Sequence, residues 1–281
     1  MRAARIIITG RTIRWAREAA LKLTGFATSV MVCKCEGAVE RELSASDTPD
    51  ARPGISVLMF AANTGSLEKR LVERIGQTVL TCPTASCFDG LPEAVERIQA
   101  GRALRVFGDH FEVSQVLGGR RYWRVPVTEG ECLLEESFGV QKKAVVGGNF
   151  LILGETADSA LAAAEAAVEA VEGMPGVILP FPGGVVRSGT KVGMRGDKGM
   201  VALTHDAYCP TLRPLTSSAL PDGVNSVLEV VLDGLDATAV TAAMRVGIEA
   251  ACRPGVRAIS AGNYGGQIGR YQFHLRQIMQ A

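Results

Sequence analysis

Apolar runs and polar breaks follow one order along this chain, and that order occurs twice. Residues 4–9, with Ile6-Ile7-Ile8-Thr9, predict a strand, and Ile13, Ala16, Ala20 and Leu23 recur at helical spacing within 12–24. Strands over 27–34 and 55–62 follow, then a helix over 66–80 and a Pro- and Ser-containing segment, TCPTASCFDG, at 81–90. From Asn149 the order returns as strand 149–154, helix 158–172, strands 177–186 and 225–233, and helix 236–252. Strand 256–260 and the Gly-rich segment AGNYGGQIG close it. The helical stripes correspond too: Leu67, Leu71 and Ile75 in one copy, Val240, Met244 and Ile248 in the other.

Two β-α-β-β-α-β units predict an α+β protein of two ferredoxin-like (split βαβ) lobes, each an α/β sandwich with two helices on one sheet face. The first lobe spans 1–148 and the second 149–281. Within the first, 102–148 has short aromatic and β-branched runs broken by Gly-Gly, which read as hairpins inserted between the copies or extending one of them. No linker is long and polar enough to separate freely moving domains, so the lobes are expected to pack, with a cleft between them or at an oligomer interface.

One residue breaks the pattern. VNSVLEVVLDG is an apolar, β-branched run bounded by Pro221-Asp222-Gly223 and Asp233-Gly234, yet Glu229 sits at its centre. An isolated carboxylate in an apolar interior costs several kcal/mol or more, so such a group is paired, hydrated or kept neutral. Laying the strand on its counterpart ISVLMFAA with Ser226 over Ser56 puts Glu229 over Met59. A purely structural role stays open at this stage: a solvated sheet face, or a pair with Arg213 or Arg245.

Composition narrows the class. The chain has 281 residues, 47% hydrophobic, with a formal net charge of +1 and aromatics at only 5%. That balance points away from nucleic acid and membrane surfaces as partners. The Arg-rich start, whose first acid is Glu18, invites a transit-peptide reading, but its strand and helix stripe favour a folded first element. No apolar run approaches the roughly 20 residues that span a bilayer. Seven cysteines and three histidines offer poor metal spacing, so no metal is expected, and most thiols read as small core residues of a cytoplasmic protein.

The strings RIGQTVLTCPTASCFDGLPEA, NFLILGETADSALAAAEAAVEA, LPFPGGVVRSGTKVG, HDAYCPTLR and ISAGNYGGQIGRYQFHLRQIM run in order across nearly the whole chain. Together they resemble the formylmethanofuran–tetrahydromethanopterin formyltransferase family, of the bacterial formyltransferase/hydrolase complex type. The resemblance implies two ferredoxin-like lobes and a homodimer or homotetramer, with complex subunits as further partners. It implies an acyltransferase moving a formyl group between N5 of tetrahydromethanopterin and methanofuran, both coenzyme substrates, with no bound prosthetic group. Two departures stand out. Family members commonly carry an acidic segment before the first strand that MRAARIII lacks, and His205 replaces a usual Asn before DAYCPTL.

Formyl transfer between amines asks for near-attack geometry, donors for an oxyanion and a proton donor or relay. The family assigns a strand glutamate to the last role, and EVVLDG matches it at Glu229. Glu249, near a helix end, is the competitor. Pro182, Gly183 and Gly184 could bring backbone N–H groups up to a coenzyme, or simply form a tight turn. Asp206, Tyr208, Cys209, Asn263, Tyr264 and Ser86 complete the expected binding set. Cys209 is also the candidate for a covalent formyl-enzyme, though no partner base is recognisable. A non-catalytic scaffold or coenzyme-binding subunit is the rival class. A formyl hydrolase is a second rival, but the metal or activated water it needs has no visible ligands.

Overall fold

The first apolar run, β1 (Arg2–Thr9), becomes an inner strand because both of its edges find antiparallel partners. The computed structural model describes residues 1–187, 190–192, 202–262 and 271–280. The chain divides into two units, Met1–Ala144 with Gly173–Ile178, and Val145–Glu172 with Leu179–Ala281.

In the first unit β1 is followed by α1 (Ile13–Thr24), β2 (Thr28–Ser29), β3 (Cys35–Leu43), β4 (Gly54–Ala61), α2 (Thr64–Thr78) and β5 (Ser86–Asp89). Then come β6 (Glu96–Ile98), α3 (Ala100–Leu104), β7 (Val113–Leu117), β8 (Arg120–Val127), β9 (Gly130–Glu135) and β10 (Phe138–Val140). The sheet order is β2-β3-β4-β1-β5-β9-β8-β7, and β10 pairs with β6. The 102–148 region therefore extends the first sheet: β7, β8 and β9 form a meander joined to β5 through the parallel pair Cys87 and Leu134.

Alternation decides which face is dry. Ala4, Ile6 and Ile8 of β1 and Ile55, Val57 and Met59 of β4 share one buried cluster with Ala16, Ala20 and Leu23 of α1 and Leu67, Leu71 and Ile75 of α2. Arg5, Ser56 and Leu58 consequently point to the other face. The cap of α2 is Asn63, whose side chain accepts the Ser66 N–H.

The second unit opens with β11 (Val145–Gly154) and α4 (Ala157–Val171). The chain then passes through β12 (Val177–Ile178), counted with the first unit, to β13 (Val185–Val186), β14 (Thr190–Val192) and β15 (Ala202–Thr204). β16 (Ser226–Gly234), α5 (Ala237–Ala251), β17 (Val256–Ser260) and α6 (Leu275–Gln280) complete it. β16 and β17 flank β11, and β13 lies along the far side of β16. The strand sequence β13-β16-β11-β17 thus repeats β3-β4-β1-β5 of the first unit. Gly10 and Gly154 mark the same point in both, since a Cβ would lie 3.0 Å from Ala16 N in one and 2.9 Å from Ala160 N in the other. Thr156 closes a capping box with Ser159, and the Asp236 side chain accepts the Ala239 N–H.

Three expectations need correction. The strand expected over 27–34 shrinks to Thr28–Ser29, because Lys34 takes φ 66° and Cys33 N–H closes a turn onto Ser29 O. The true strand, CEGAVEREL, was hidden by its acids, two of which, Glu36 and Glu40, are buried. The strand expected over 177–186 is two short pieces around a turn at Pro182–Gly184, where Pro lacks an N–H and both glycines have positive φ.

The third correction concerns the repeat register. β1 pairs Thr9 with Gly54, and β11 pairs Leu153, its counterpart one residue before the marker glycine, with Val227. Counting on, Ser56 corresponds to Glu229, and the capping residues Asn63 and Asp236 fall into the same register. Met59 faces the helices, whereas Glu229 lies on the opposite face, so the two cannot correspond.

Candidate active site on the open face of the second sheet

In β11 the residues Gly148, Phe150 and Gly154 lie against the helices: Gly148 meets Val240, Phe150 meets Gly247 and Gly154 meets Ala160. Asn149, Leu151 and Leu153 therefore project from the other face, and pairing puts Glu229 opposite Leu151 on that same face. Ser260 of β17 lies beyond Leu151, and Val186 of β13 stands directly opposite Glu229 on the other edge. Glu229 is 3% exposed, and Asn149 Nδ2 donates to its Oε1 at 2.6 Å. A short bond from a neutral amide to a buried carboxyl is the central geometric fact of this site.

Apolar side chains lie on the same face. Leu151, Leu153, Leu220 and Val224 form a buried cluster, with Tyr208, Val227 and Ala258 packed against it. Tyr208 sits in a 3₁₀ turn, Asp206–Tyr208, and its ring meets His205 edge-on at 4.8 Å. Asp206 Oδ1 accepts the Ala207 N–H, and Cys209 Sγ lies 3.1 Å from Thr211 Oγ1, a hydroxyl rather than a base.

The PFPGG turn leads straight into β13, so Gly184 is two residues from the partner of Glu229. Its two glycines differ. Gly184 packs against α4, where a Cβ would lie 2.7 Å from Val168 Cγ2, whereas Gly183 has open space above it at φ 61°. Pro182 is exposed. Ser86 belongs to the first unit, is 2% exposed and accepts the Leu133 N–H through its hydroxyl. Asn263 and Tyr264 lie outside the described residues. Glu249 is exposed on α5. Arg245 donates to Ile278 O, and Arg213 to Pro221 O and Val224 O.

The first unit carries a related polar cluster that the sequence did not disclose. The β3–β4 register slips between Val39 and Arg41, leaving Glu40 as a bulged residue beside Ser56. Glu40 receives Arg5 Nε at 2.8 Å and Nη2 at 2.6 Å, the Ser56 hydroxyl and the Gly176 N–H. Burial alone would raise the Glu40 pKa, but the hydrogen bonds and charge of Arg5, helped by Ser56 and Gly176, hold it below the usual carboxylate range. Arg5 corresponds to Asn149 in the repeat: each lies two residues before Ile7 or Leu151, which pair with Ser56 and Glu229. Asn149 is a lone amide in an apolar strand, flanked by GG and FLILG.

Similarity to known proteins extends over nearly the whole chain. A family model described as formylmethanofuran-tetrahydromethanopterin formyltransferase matches residues 1–127, and one described as FTR, proximal lobe, matches 130–278. A formylmethanofuran–tetrahydromethanopterin formyltransferase of Methylobacillus flagellatus is 53% identical over 99% of this chain and 94% of its own. A formyltransferase/hydrolase complex subunit of Methylorubrum extorquens is 48% identical, over 98% of this chain and 91% of its own. Among solved structures, the formyltransferase from Methanosarcina barkeri superposes with a TM-score of 0.93 at 45% identity, covering 99% of this chain and 94% of its own. The Methylorubrum extorquens formyltransferase/hydrolase complex, solved with methylofuran, gives 0.94 at 47%, covering 99% and 92%. The chain belongs to the formylmethanofuran–tetrahydromethanopterin formyltransferase family.

Proposed function

We propose that this chain is a formyltransferase that moves a formyl group between N5 of tetrahydromethanopterin and the amine of methanofuran. The relatives that share nearly its whole length bear that activity in their names. The observation that carries the assignment of chemistry to a residue is the buried Glu229 carboxyl, which accepts an N–H of Asn149 on a face that also carries Leu151, Leu153, Leu220 and Val224.

The attacking amine uses its lone pair to bond the formyl carbon, and the carbonyl oxygen takes up negative charge. The attacking nitrogen gives up a proton, collapse breaks the other C–N bond, and the leaving nitrogen takes a proton. Glu229 is the proton donor and relay for that exchange. Burial in an apolar environment disfavours the ionised form of a carboxyl, the condition under which a carboxylic acid can carry a proton in such an exchange. The exposed Pro182–Gly183 turn, next in sequence to the strand paired with Glu229, is suited to offering backbone N–H groups to a coenzyme. Asp206, Tyr208 and Cys209 follow on the segment that covers the same face, with Asn263 and Tyr264 as the remaining binding residues. Ser86, whose hydroxyl accepts the Leu133 N–H between β5 and β9, is the binding residue assigned to the first unit.

The repeated strand order supports the reading of two ferredoxin-like lobes, 1–148 and 149–281. The chain works as a homo-oligomer and, like the Methylorubrum relative, as a subunit of a formyltransferase/hydrolase complex. The test is formyl transfer from formyl-tetrahydromethanopterin to methanofuran by the purified protein, with and without hydrolase subunits. Coenzyme binding with no transfer in either setting would replace this reading with that of a scaffold.

A further inference from the structure

The meander that extends the first sheet ends in an open edge. β7 pairs with β8, from Val113 with Arg124 to Leu117 with Arg120, and among the described residues no strand pairs with its other side. The two-residue turn Gly118-Gly119, with φ values of 56° and 78°, fixes that register. Every second residue of β7 therefore turns its backbone N–H and C=O away from β8. Such an edge is a template for another strand, and monomeric proteins blunt it with charge, proline, a bulge or extreme shortness. The opposite edge of the same sheet is blunted in this way, since β2 is only Thr28–Ser29. The β7 sequence VSQVL carries none of these devices.

The side chains around the edge point to an uncharged partner. Val113, Val116 and Leu117 are exposed, and just before the strand Phe107 and Phe111 are 60% and 77% exposed. Arg105, in the same turn as Phe107, lies 4.9 Å over the Trp123 ring of β8 and so holds that turn against the hairpin. The neighbouring cations already have carboxylates within the chain: Arg105 pairs with Glu112, Arg120 with Glu135, Arg121 with Glu136 and Arg124 with Glu131. Asp109 and His110 lie off the strand, between the two phenylalanines.

We propose that β7 is an interface strand, pairing antiparallel and edge to edge with β7 of a second copy of this chain. The inference rests on the homo-oligomer reading above and names its surface. A two-fold axis through Gln115 sets Val113 of one copy against Leu117 of the other, and Gln115 against Gln115. Directly opposite residues share a sheet face, so apolar side chains meet on either side of a central pair of amides. A two-fold also sets any charge on the strand near its own copy, and VSQVL is free of that repulsion. The size fits as well. At their exposures Phe107 and Phe111, worth about 150–250 Å² each when fully covered, supply roughly a third of the about 800 Å² per partner of a standard interface. Val106, Val113, Val116, Leu117 and the strand backbone add to it.

The test is the mass of the purified full chain by light scattering, for wild type and two double variants. One carries Val113→Lys with Leu117→Lys, the other Val113→Glu with Leu117→Glu. Each variant alone sets like charges across the edge and should fall to half the wild-type mass or less, with its circular dichroism kept. An equimolar mixture sets opposite charges across the edge and should regain the wild-type mass, which a mere folding defect would not do. If a variant does not fold, hydrogen exchange of wild type decides. The β7 amides that face away from β8 should exchange at least about 10-fold more slowly in the oligomer than after dilution to single chains.

An oligomeric wild type whose mass neither double variant lowers overturns the edge contact and leaves the homo-oligomer reading in place. Fast exchange of those amides in the oligomer overturns it too. A wild type at the mass of one chain removes the homo-oligomer reading, and the edge contact with it. Variants that keep the wild-type mass but no longer bind the hydrolase subunits would give the edge to a different protein, and the pairing of two copies would then be wrong.

Discussion

Replacing Glu40 by Gln isolates the cluster of the first unit. The Glu40 side chain is fully buried, and its Arg5 partner retains 22% exposure. The substitution keeps the shape but removes the negative charge. Arg5 then loses its charged partner, and the Gly176 N–H loses an anionic acceptor. Breaking a fully buried ion pair costs about 3–5 kcal/mol, and the residual exposure of Arg5 puts this case near the lower end, about 3. Urea unfolding followed by a probe confined to the first unit gives the shift in midpoint at constant slope.

The pH dependence has a fixed sign. Because the folded pKa of Glu40 is lowered, its contribution is complete above the unfolded value of about 4.3 and fades as pH falls through the folded value. The gap between wild type and Glu40→Gln should therefore be constant from pH 5 to 7, to within about 0.5 kcal/mol, and close below about pH 4. A double change, Arg5→Met with Glu40→Leu, should recover most of the loss, since apolar replacement of a buried pair is often neutral. A cost below about 1 kcal/mol for Glu40→Gln at pH 7, or a gap that widens in acid, would show that the pair does not hold the first unit in this way.

Other perturbations have separate signatures. Gly154→Ala forces a Cβ to within 2.8 Å of Ala160 Cβ, and should lower stability by about 1–3 kcal/mol in thermal or urea melts. Gly183→Ala meets no neighbour but must hold φ 61°, so it should cost only about 1 kcal/mol, with any larger effect confined to coenzyme affinity. Asp236→Ala removes the cap of α5 and should cost about 1 kcal/mol by the same measurement. Burial pushes the Cys132 thiol up to about 12, so alkylation of the native protein at pH 8 should modify exposed Cys252 and spare Cys132 in peptide mass analysis. Labelling of Cys132 at the rate of Cys252 would contradict its packing.

Much of the fold is legible in the sequence because the core follows simple periodicities. Leu67, Leu71 and Ile75, and Val240, Met244 and Ile248, are the buried stripes of α2 and α5. Strand 256–260 has the predicted bounds. The misplaced strands have a common cause: polar or restrictive residues within them. CEGAVEREL reads as polar surface until Glu40 is known to be gripped by Arg5. The prolines and glycines of 177–186 break a strand that its β-branched ends suggest.

The repeat register is the most instructive case. Matching Ser226 to Ser56 uses residue identity, while the helix stripes are matched on period. Extending the stripe register from Leu67 and Val240 back through the capping residues Asn63 and Asp236 puts Glu229 over Ser56. A shift of odd length swaps the two sheet faces, so identity at one position is a poor guide. Within the site, the strand glutamate is visible from its apolar context. Asn149 is not, because a lone amide carries no spacing pattern and only the strand pairing brings it to Glu229.

Everything proposed for the second unit depends on Glu229 moving the proton in formyl transfer. The deciding experiment is the steady-state rate of transfer from formyl-tetrahydromethanopterin to methanofuran by wild type and Glu229→Gln, with binding of both coenzymes measured in parallel. A proton relay at Glu229 predicts a loss in kcat of at least about 10²-fold in the variant with binding unchanged. Near-wild-type kcat in Glu229→Gln would rule that role out and leave the buried carboxyl a structural one.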